Sequence, residues 1–252
     1  MTEGWPDRVA AGALEFWRRR VSFVESAESV EFDGIFVAAT KLAEDLNAAF
    51  VEREPTNAAV AVAAAETWIL DRGWPLGLEL EDARQPAVEA AAAGAGFEPV
   101  FRRPVMALSL SDLRLNRPPD GVEIRAARPE DIAALRSIET ACFGTSPAVT
   151  ERFIPPSSLE TPGLSTFVAV SDDLVVASAA ASRHREAVGI FGVATLPGSR
   201  GRGIGTAITA HAASSARGEA EFAWLNPTVE AGGLYERMGF RTLSEWSIWL
   251  RE

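Results

Sequence analysis

The stretch PGSRGRGIGTAI, from Pro197 to Ile208, follows an apolar, strand-like run and leads into a helix-like one. Pro197 ends strand pairing because proline has no backbone N–H. The glycines that follow allow positive φ angles and let a ligand approach the backbone closely. A helix that begins near Gly203 or Ile204 presents unpaired N–H groups at the positive end of its dipole. The stretch therefore predicts an anion site suited to phosphate or pyrophosphate.

Two common nucleotide-binding motifs do not fit this loop. The Walker A motif needs a lysine after Gly-x4-Gly, and Ile204 stands at that position. The dinucleotide fingerprint Gly-x-Gly-x-x-Gly needs a third glycine where this chain has Thr206 or Ile208. The predicted anion site is therefore neither of these two kinds.

Composition excludes several other classes of protein. The 252-residue chain has a formal net charge of −11, which argues against nonspecific binding to nucleic acid. No window approaches the length of an apolar membrane span, and the start MTEGWPDRV lacks the pattern of an export signal. The single cysteine and two histidines are scattered and form no metal-ligand motif. We expect a cytoplasmic protein that needs no metal and has neither nucleic acid nor membrane as a partner.

The chain divides into two similar halves. The segment LNRPPDG, from Leu115 to Gly121, contains two prolines and an Asp-Gly turn signal, which predict a linker. On each side a helix, a short strand and a second helix lead to a Gly-Phe pair and then to a long strand; the two pairs are Gly96-Phe97 and Gly239-Phe240. This repetition predicts a duplicated α/β unit, with domains at residues 1–115 and 122–252 joined by a linker at 116–121.

The second half has the more complete pattern of predicted elements. Prolines between residues 147 and 162 predict a loop after the first helix, which begins at Pro129. In chain order, the strands are predicted at residues 122–126, 165–170, 174–182, 188–196 and 221–225, and the last two helices at 204–217 and 229–237.

The pattern Arg200-x-x-Gly203-x-Gly205, preceded by Pro197, resembles the pyrophosphate loop [Arg/Gln]-x-x-Gly-x-[Gly/Ala] of the GNAT superfamily of acyl-CoA N-acyltransferases. The resemblance extends from about Val122 to the end of the chain. It implies an α/β fold of two tandem GNAT-like domains, each a mixed, mostly antiparallel sheet flanked by helices. It also implies that the second domain binds acetyl-CoA.

The same resemblance assigns residues to the coenzyme. In this family the strand before the loop separates from the next strand and leaves a slot for the thioester. It implies that the backbone groups of Val193 and Thr195 meet the pantetheine arm and that Asn226 contacts the coenzyme. The backbone that would hold the pyrophosphate consists of Arg200, Gly201, Arg202, Gly203, Ile204, Gly205 and Thr206.

Acyl transfer from a thioester to an amine requires a proton acceptor and a proton donor. Tyr235, the chain's only tyrosine, stands at the position of the family's general acid, where it would protonate the departing thiolate. Glu186, at the start of the strand before the loop, is predicted as the general base, and His184 is the alternative. Cys142 follows an apolar helical pattern and is predicted to be a buried core thiol.

The first half lacks these groups. Counting back from the Gly-Phe pairs places Ala92 opposite Tyr235. Depending on a one-residue shift, the loop positions of Arg200, Gly203 and Gly205 are opposite Asn57, Val60 and Val62, or Ala58, Ala61 and Ala63. We expect a degenerate domain that does not bind coenzyme A in the usual way and instead shapes the acceptor site.

These features predict an N-acetyltransferase that moves an acetyl group from acetyl-CoA to a primary amine of a small molecule or peptide by direct attack. The protein is expected to be a monomer or a homodimer. The alternative is a non-catalytic acyl-CoA-binding sensor or regulatory protein. The amine itself cannot be read from the sequence, since variable loops and the partner domain determine it.

Overall fold

The computed structural model describes residues 4–115 and 117–251. The first half consists of α1 (Trp5–Phe23), β1 (Glu28–Phe32), β2 (Ile35–Ala39), β3 (Asn47–Val51), α2 (Ala58–Leu70), β4 (Leu78–Glu81), α3 (Pro86–Gly94) and β5 (Glu98–Ser109). The second half consists of β6 (Val122–Ala126), α4 (Ile132–Phe143), α5 (Pro147–Phe153), β7 (Leu164–Ser171), β8 (Leu174–His184), β9 (Ala187–Thr195), α6 (Ile204–Ser214), β10 (Phe222–Leu225), α7 (Gly232–Met238) and β11 (Arg241–Leu250). No helix within these ranges is long and apolar enough to cross a membrane.

All eleven strands belong to one sheet, in the order β1-β2-β3-β4-β11-β5-β10-β9-β8-β7-β6. Its pairs are antiparallel except for β3–β4 and β9–β10, which are parallel. The predicted α/β class with a mixed, mostly antiparallel sheet is confirmed, and the sheets of the two halves join into one.

The two halves exchange their last strands. β5 ends the first half but pairs with β10 of the second, with Met106 opposite Leu225. β11 ends the second half but pairs with β4 of the first, with Trp246 opposite Glu81. β5 and β11 pair with each other at the centre of the sheet. The division at residues 116–121 stays a prediction, and each of the two predicted halves contributes a strand that extends the pairing of the other.

The duplication predicted from the Gly-Phe pairs has a matching geometry in both halves. The Phe97 N–H donates to the Ala92 carbonyl at 2.9 Å, and the Phe240 N–H donates to the Tyr235 carbonyl at 3.0 Å. In each case the glycine before the phenylalanine has a positive φ, 86° at residue 96 and 101° at residue 239, and closes the helix. The alignment of Ala92 with Tyr235 is therefore supported by the same helix-capping geometry.

The helices form one layer on each side of the sheet. α1 packs on one face, and Trp224 of β10, 1% exposed, lies among its apolar side chains. Gly12 of α1 allows this close packing, because an added Cβ would lie 3.3 Å from the Trp224 indole nitrogen. α6 and α7 cover the other face of the second half, and α2 and α3 cover that of the first. The first helix of the chain thus covers a strand of the second half.

One helix occurs where the sequence predicts a loop. α5 begins at Pro147, and the Ser146 side chain accepts a hydrogen bond from the Val149 N–H at 3.4 Å. Serine at the N-cap followed by proline at the first helical position is a helix-start signal, so this proline begins a helix instead of interrupting one. The loop prediction for this segment was wrong in that respect.

Candidate active site

The glycine-rich loop follows β9 as predicted. After Thr195 the chain makes a single 3-10 turn at Pro197–Ser199, and α6 begins at Ile204. Gly201 has φ +75° and Gly203 has φ +82°, a region that residues with a side chain rarely adopt. An added Cβ at Gly201 would meet nothing within 4 Å. This glycine is thus required by the backbone conformation and not by packing, and its surroundings are open to a ligand.

The loop presents backbone N–H groups that the protein does not use. The N–H groups of Ser199 and Arg200 donate to carbonyls of the preceding turn, at 2.8 and 3.3 Å. Within residues 4–115 and 117–251, the N–H groups of residues 201–203 have no hydrogen-bond acceptor. The first turn of α6 adds further free N–H groups at the positive end of its dipole. This arrangement fits a pyrophosphate, and Ile204, Gly205 and Thr206 stand at the helix start as the sequence predicts.

Arg200 and Thr195 attach the loop to the end of the strand. The Arg200 Nε donates to the Thr195 carbonyl at 3.0 Å. The Sγ of Cys142, which is partly buried, lies 3.6 Å from the same carbonyl. Thr195 is thus engaged from two sides, whereas Arg202 is exposed. The contacts of these residues with a coenzyme remain predictions.

Strands β9 and β10 separate beside this loop. They pair only between Ala187–Gly189 and Phe222–Trp224. On its other edge, β9 has a bulge against β8 between Phe191 and Ala194, with Gly192 at φ +56°. The rest of β9, including Val193, is therefore free of β10, and a slot opens through the sheet. Gly192 was not identified from the sequence. A glycine inside a strand pattern often marks a bulge, and this is the signal that could have identified it.

A cavity of about 770 Å³ contains this slot. From the second half it is lined by Gly192, Val193, Asn226 and Tyr235. From the first half it is lined by Trp17, Arg20, Asp45, Asn47, Glu79 and Arg103. Tyr235 belongs to the core on the α6 side and Trp17 to the core under α1, so the cavity connects the two faces of the sheet.

Tyr235 lies in the wall of the slot and is 7% exposed. Its ring packs edge to face on Phe240, with 5.9 Å between the ring centroids. Burial raises the pKa of Tyr235 above its ordinary value, and the nearby Thr209 hydroxyl partly opposes this shift. The phenol is therefore protonated at neutral pH and can act as a proton donor.

Asn226 lines the cavity next to the slot, directly after β10. Its Nδ2 donates to the Pro104 carbonyl of β5 at 3.2 Å. The side chain therefore fastens the end of β10 to the strand that the first half contributes. Its side-chain oxygen is the group left for a contact with the coenzyme, which remains a prediction.

Glu186, the predicted base, is not near the slot. It is exposed in the turn between β8 and β9, and its carbonyl accepts the Glu221 N–H at 2.7 Å. Gly192 lies six residues further along β9, a distance of about 20 Å at the usual rise of a strand. His184 is the last residue of β8, beside the same turn, and burial lowers its pKa. Because of this separation, the geometry does not support either residue as the general base.

Glu139 of α4 is a carboxylate that sequence reasoning missed. It lines a second cavity of about 110 Å³ together with Arg20, Phe191 and Gly192, which also line the larger one. The Thr145 hydroxyl donates to its carboxylate at 3.2 Å. Burial raises the pKa of Glu139, and the positive charge of Arg20 opposes the shift. The sequence does carry one signal for a buried carboxylate here. Glu139 lies four residues after Leu135 and therefore falls on the apolar face of the predicted helix.

The first half contributes a buried ion pair to the far wall of the larger cavity. Arg103 of β5 donates to Glu79 of β4 across β11. The Glu79 side chain is 9% exposed, and burial raises its pKa although Arg103 acts in the opposite direction. Within the described part of the chain, no group of three or more His, Cys, Asp or Glu side chains could hold a metal ion.

Residues 162–242, which include β7 to β10 and the glycine-rich loop, match the family model of the acetyltransferase (GNAT) domain. The second half of the chain therefore carries a domain of the GNAT superfamily. A search of curated proteins found no significant match.

Solved structures with the same fold cover nearly the whole chain. A GCN5-related N-acetyltransferase from Kribbella flavida is 22% identical, with a TM-score of 0.77 over 97% of this chain and 95% of that one. A GCN5-related N-acetyltransferase from Sphaerobacter thermophilus is 19% identical, with a TM-score of 0.63 over 87% and 81%. A tandem GNAT protein from the clavulanic acid biosynthesis pathway is 13% identical, with a TM-score of 0.64 over 86% and 78%. At these identities the similarity concerns the fold.

Proposed function

We propose that this protein is an acetyl-CoA-dependent N-acetyltransferase with one working site, in the slot between β9 and β10. The observation that carries the proposal is the continuity of this slot. The free N–H groups of the loop lie at the end of β9, Tyr235 lies in the slot wall, and the cavity continues to the face covered by α1. A thioester held by the loop would thus meet an acceptor that enters from the α1 side.

The coenzyme would supply an activated acetyl group on a sulfur that leaves as a thiolate. The loop N–H groups of residues 201–206 bind its pyrophosphate, and Gly201 and Gly203 allow the backbone to approach it. The free edge of β9 at Val193 offers backbone groups to the pantetheine arm. Tyr235 donates its phenolic proton to the departing sulfur and recovers it from solvent.

Glu139 is the proton acceptor that the geometry favours. Its cavity of about 110 Å³ adjoins the slot at Gly192 and has room for a few water molecules, each of which takes about 30 Å³. A water chain through this space would carry the amine proton to the carboxylate. The raised pKa of Glu139 brings it closer to neutrality, where a general base works best.

The acceptor is a primary amine of a small molecule or a short peptide. A cavity of about 770 Å³ lies within the usual range for small-molecule sites. Four carboxylates line the two cavities, Glu44, Asp45, Glu79 and Glu139, against two guanidinium groups, Arg20 and Arg103. This excess of negative charge favours the approach of a cationic amine.

Isothermal titration with acetyl-CoA, followed by a screen of amines with detection of free thiol, tests the proposal. We expect micromolar binding and amine-dependent thiol release. Folded protein that does not bind acetyl-CoA would contradict the proposal. Binding without thiol release on any amine would favour the alternative of a non-catalytic acyl-CoA sensor.

A further inference from the structure

Arg20 of α1 is held by aromatic side chains at the junction of the two cavities. Its guanidinium carbon lies 4.6 Å from the ring centroid of Phe16, 5.0 Å from that of Trp17 and 4.3 Å from that of Phe153. Two of these rings come from its own helix and the third from α5 of the second half. The guanidinium plane therefore has a defined place on the wall of the site.

This guanidinium has no ionic partner in the part of the chain that the structure describes. Its Nε is buried and makes no hydrogen bond, and no carboxylate lies within the 4 Å of a salt bridge. Glu139 and Asp45 attract it only through space. Burial lowers the pKa of Arg20 to about 10, so the group is still a cation at neutral pH.

The other arginine of the cavity wall shows the contrast. Arg103 forms an ion pair with Glu79 whereas Arg20 forms none, although the Nε of each is buried and makes no hydrogen bond. A desolvated charge without a partner is unfavourable, and proteins usually pair such groups or use them to bind a ligand. Arg20 is thus the cavity-lining arginine that is available to bind an anionic group of a ligand.

Arg20 is also close to the place of reaction. It lines both cavities together with Phe191 and Gly192, the residues at the bulge of β9. Phe191 itself stacks on Phe16, with 3.7 Å between the ring centroids, which fixes α1 against this strand. A ligand group bound by Arg20 would therefore lie next to the slot and not at the distant end of the cavity.

We propose that Arg20 binds a carboxylate of one of the two substrates. The proposal rests on the proposed function, because it places this carboxylate beside the slot of an acyltransferase. A planar guanidinium binds a carboxylate through two parallel hydrogen bonds, which an ammonium group cannot do. The carboxylate has two possible sources: an amino-acid acceptor, whose amine lies two bonds away from it, or an acyl-CoA whose acyl chain ends in a second carboxylate.

Steady-state kinetics with matched substrates distinguish the two sources. In one arm, glycine, leucine and glutamate are compared with their carboxamides at fixed acetyl-CoA. In the other, succinyl-CoA is compared with acetyl-CoA at a fixed amine. For the wild type we expect at least a 10-fold preference in kcat/KM for the carboxylate form in one arm. Arg20→Met, which keeps an unbranched apolar stem but removes the guanidinium, should abolish this preference, and Arg20→Lys should retain only part of it.

Arg18→Gln is the matched control, because Arg18 lies two residues away on α1, pairs with Glu52 at 2.6 Å and does not line the cavity. It should keep the preference of the wild type. A preference in the first arm assigns the carboxylate to the acceptor, and a preference in the second assigns it to the acyl group. Equal use of both forms in both arms, or a preference that Arg20→Met retains, would overturn the proposal.

Binding without turnover separates this proposal from the proposed function. N-acetylglycine and N-acetylglycinamide differ only in the carboxylate, and their binding can be measured by titration on the wild type and on Arg20→Met. Tighter binding of the acid by the wild type alone would support the carboxylate site even if no transfer occurred. Failure to bind acetyl-CoA would instead count against the proposed function, and equal binding of acid and amide against an acceptor carboxylate.

Discussion

The helices α2 and α6 occupy equivalent places in the two halves, but their N-termini are used differently. At α6 the N–H groups of residues 201–203 have no acceptor in the described part of the chain. At α2 the carboxylate of Asp33 accepts the N–H groups of Thr56 at 2.7 Å and Asn57 at 3.2 Å. The Asn57 side chain in turn accepts the Val60 N–H at 3.2 Å. The side chains of the first half thus occupy the N-terminus of α2, whereas the N-terminus of α6 is left open.

In the predicted duplication, this difference corresponds to a division of tasks between the two halves. The same helix end, with the same dipole, stabilises the fold where a side chain caps it and can bind a ligand where it is left free. The helices before the two Gly-Phe pairs differ in the same way. Ala92 of α3 is fully buried, whereas Tyr235, at the equivalent position of α7, lines a cavity. The first half then contributes to the site only through the wall that includes Arg20, Glu79 and Arg103.

The largest effect is expected from closing the open helix end. Gly203→Val places a β-branched residue at φ +82°, which strains the loop and displaces its N–H groups. Strain and lost hydrogen bonds together cost about 4 kcal/mol, so acetyl-CoA should bind roughly 10³-fold more weakly by titration. Val60→Gly, at the equivalent region of α2, should leave binding unchanged. A dissociation constant for Gly203→Val within threefold of the wild type would contradict the role of the loop.

The second effect concerns the phenol that only the second half retains. Tyr235→Phe removes the proton donor but keeps the packing on Phe240, so kcat should fall by about 10²-fold. Titration of the variant with acetyl-CoA should give the affinity of the wild type. Unchanged turnover would remove Tyr235 from the mechanism.

The third effect separates two candidate bases. Glu139→Gln should lower kcat/KM at pH 7 by about 10-fold, less than most general bases contribute, because water can also accept the amine proton. Burial raises the pKa of Glu139, so the wild-type rate should rise as pH increases through this raised pKa, whereas the variant should lack this rise. Glu186→Gln, which changes an exposed turn, is the control and should behave as the wild type. If Glu186→Gln alone lost activity, the assignment would be wrong.

The smallest effect is expected at the capped helix end. Hydrogen bonds from Asn57, Thr56 and Arg53 lower the pKa of Asp33, so its charge stabilises the fold above the pKa of an unfolded aspartate, about 3.9. Asp33→Asn should lower the unfolding midpoint at pH 7 by about 2 to 4 °C, measured by circular dichroism. The difference should vanish as pH falls through the lowered pKa of Asp33. Asp173→Asn, in an exposed turn with a similar positive φ, should show no such change, and an equal shift in both variants would contradict the capping role.

Local patterns in the sequence predicted much of this fold. The strand at residues 122–126 and the helix start at residue 204 agree with the structure, because periodicity and helix-start residues are local signals. The Gly-Phe pairs predict a duplication, and each places a glycine where the backbone has a positive φ. The loop at residues 200–206 was identifiable for the same reason.

Other features depend on contacts between distant residues. Glu186 precedes the strand that leads into the loop, but the slot lies at the other end of that strand. Glu139 reaches the site only because α4 packs beside the bulge of β9, and Arg20 only because α1 crosses to the second half. The exchange of β5 and β11 leaves the same alternating pattern in the sequence as two separate sheets would. Pairing partners that far apart leave no local signal.

The strand exchange has a consequence for how the chain is made. β11, residues 241–250, is the last of the described strands in chain order, and it pairs with β4 of the first half. Until it arrives, β4 has an open edge on that side, and β5 cannot complete its pairing because β10 also follows much later. The sheet pairing of the first half can therefore be completed only after residues 241–250 have been synthesised. A chain that stops before residue 241 would lose its last strand, and the damage would fall on the half synthesised first.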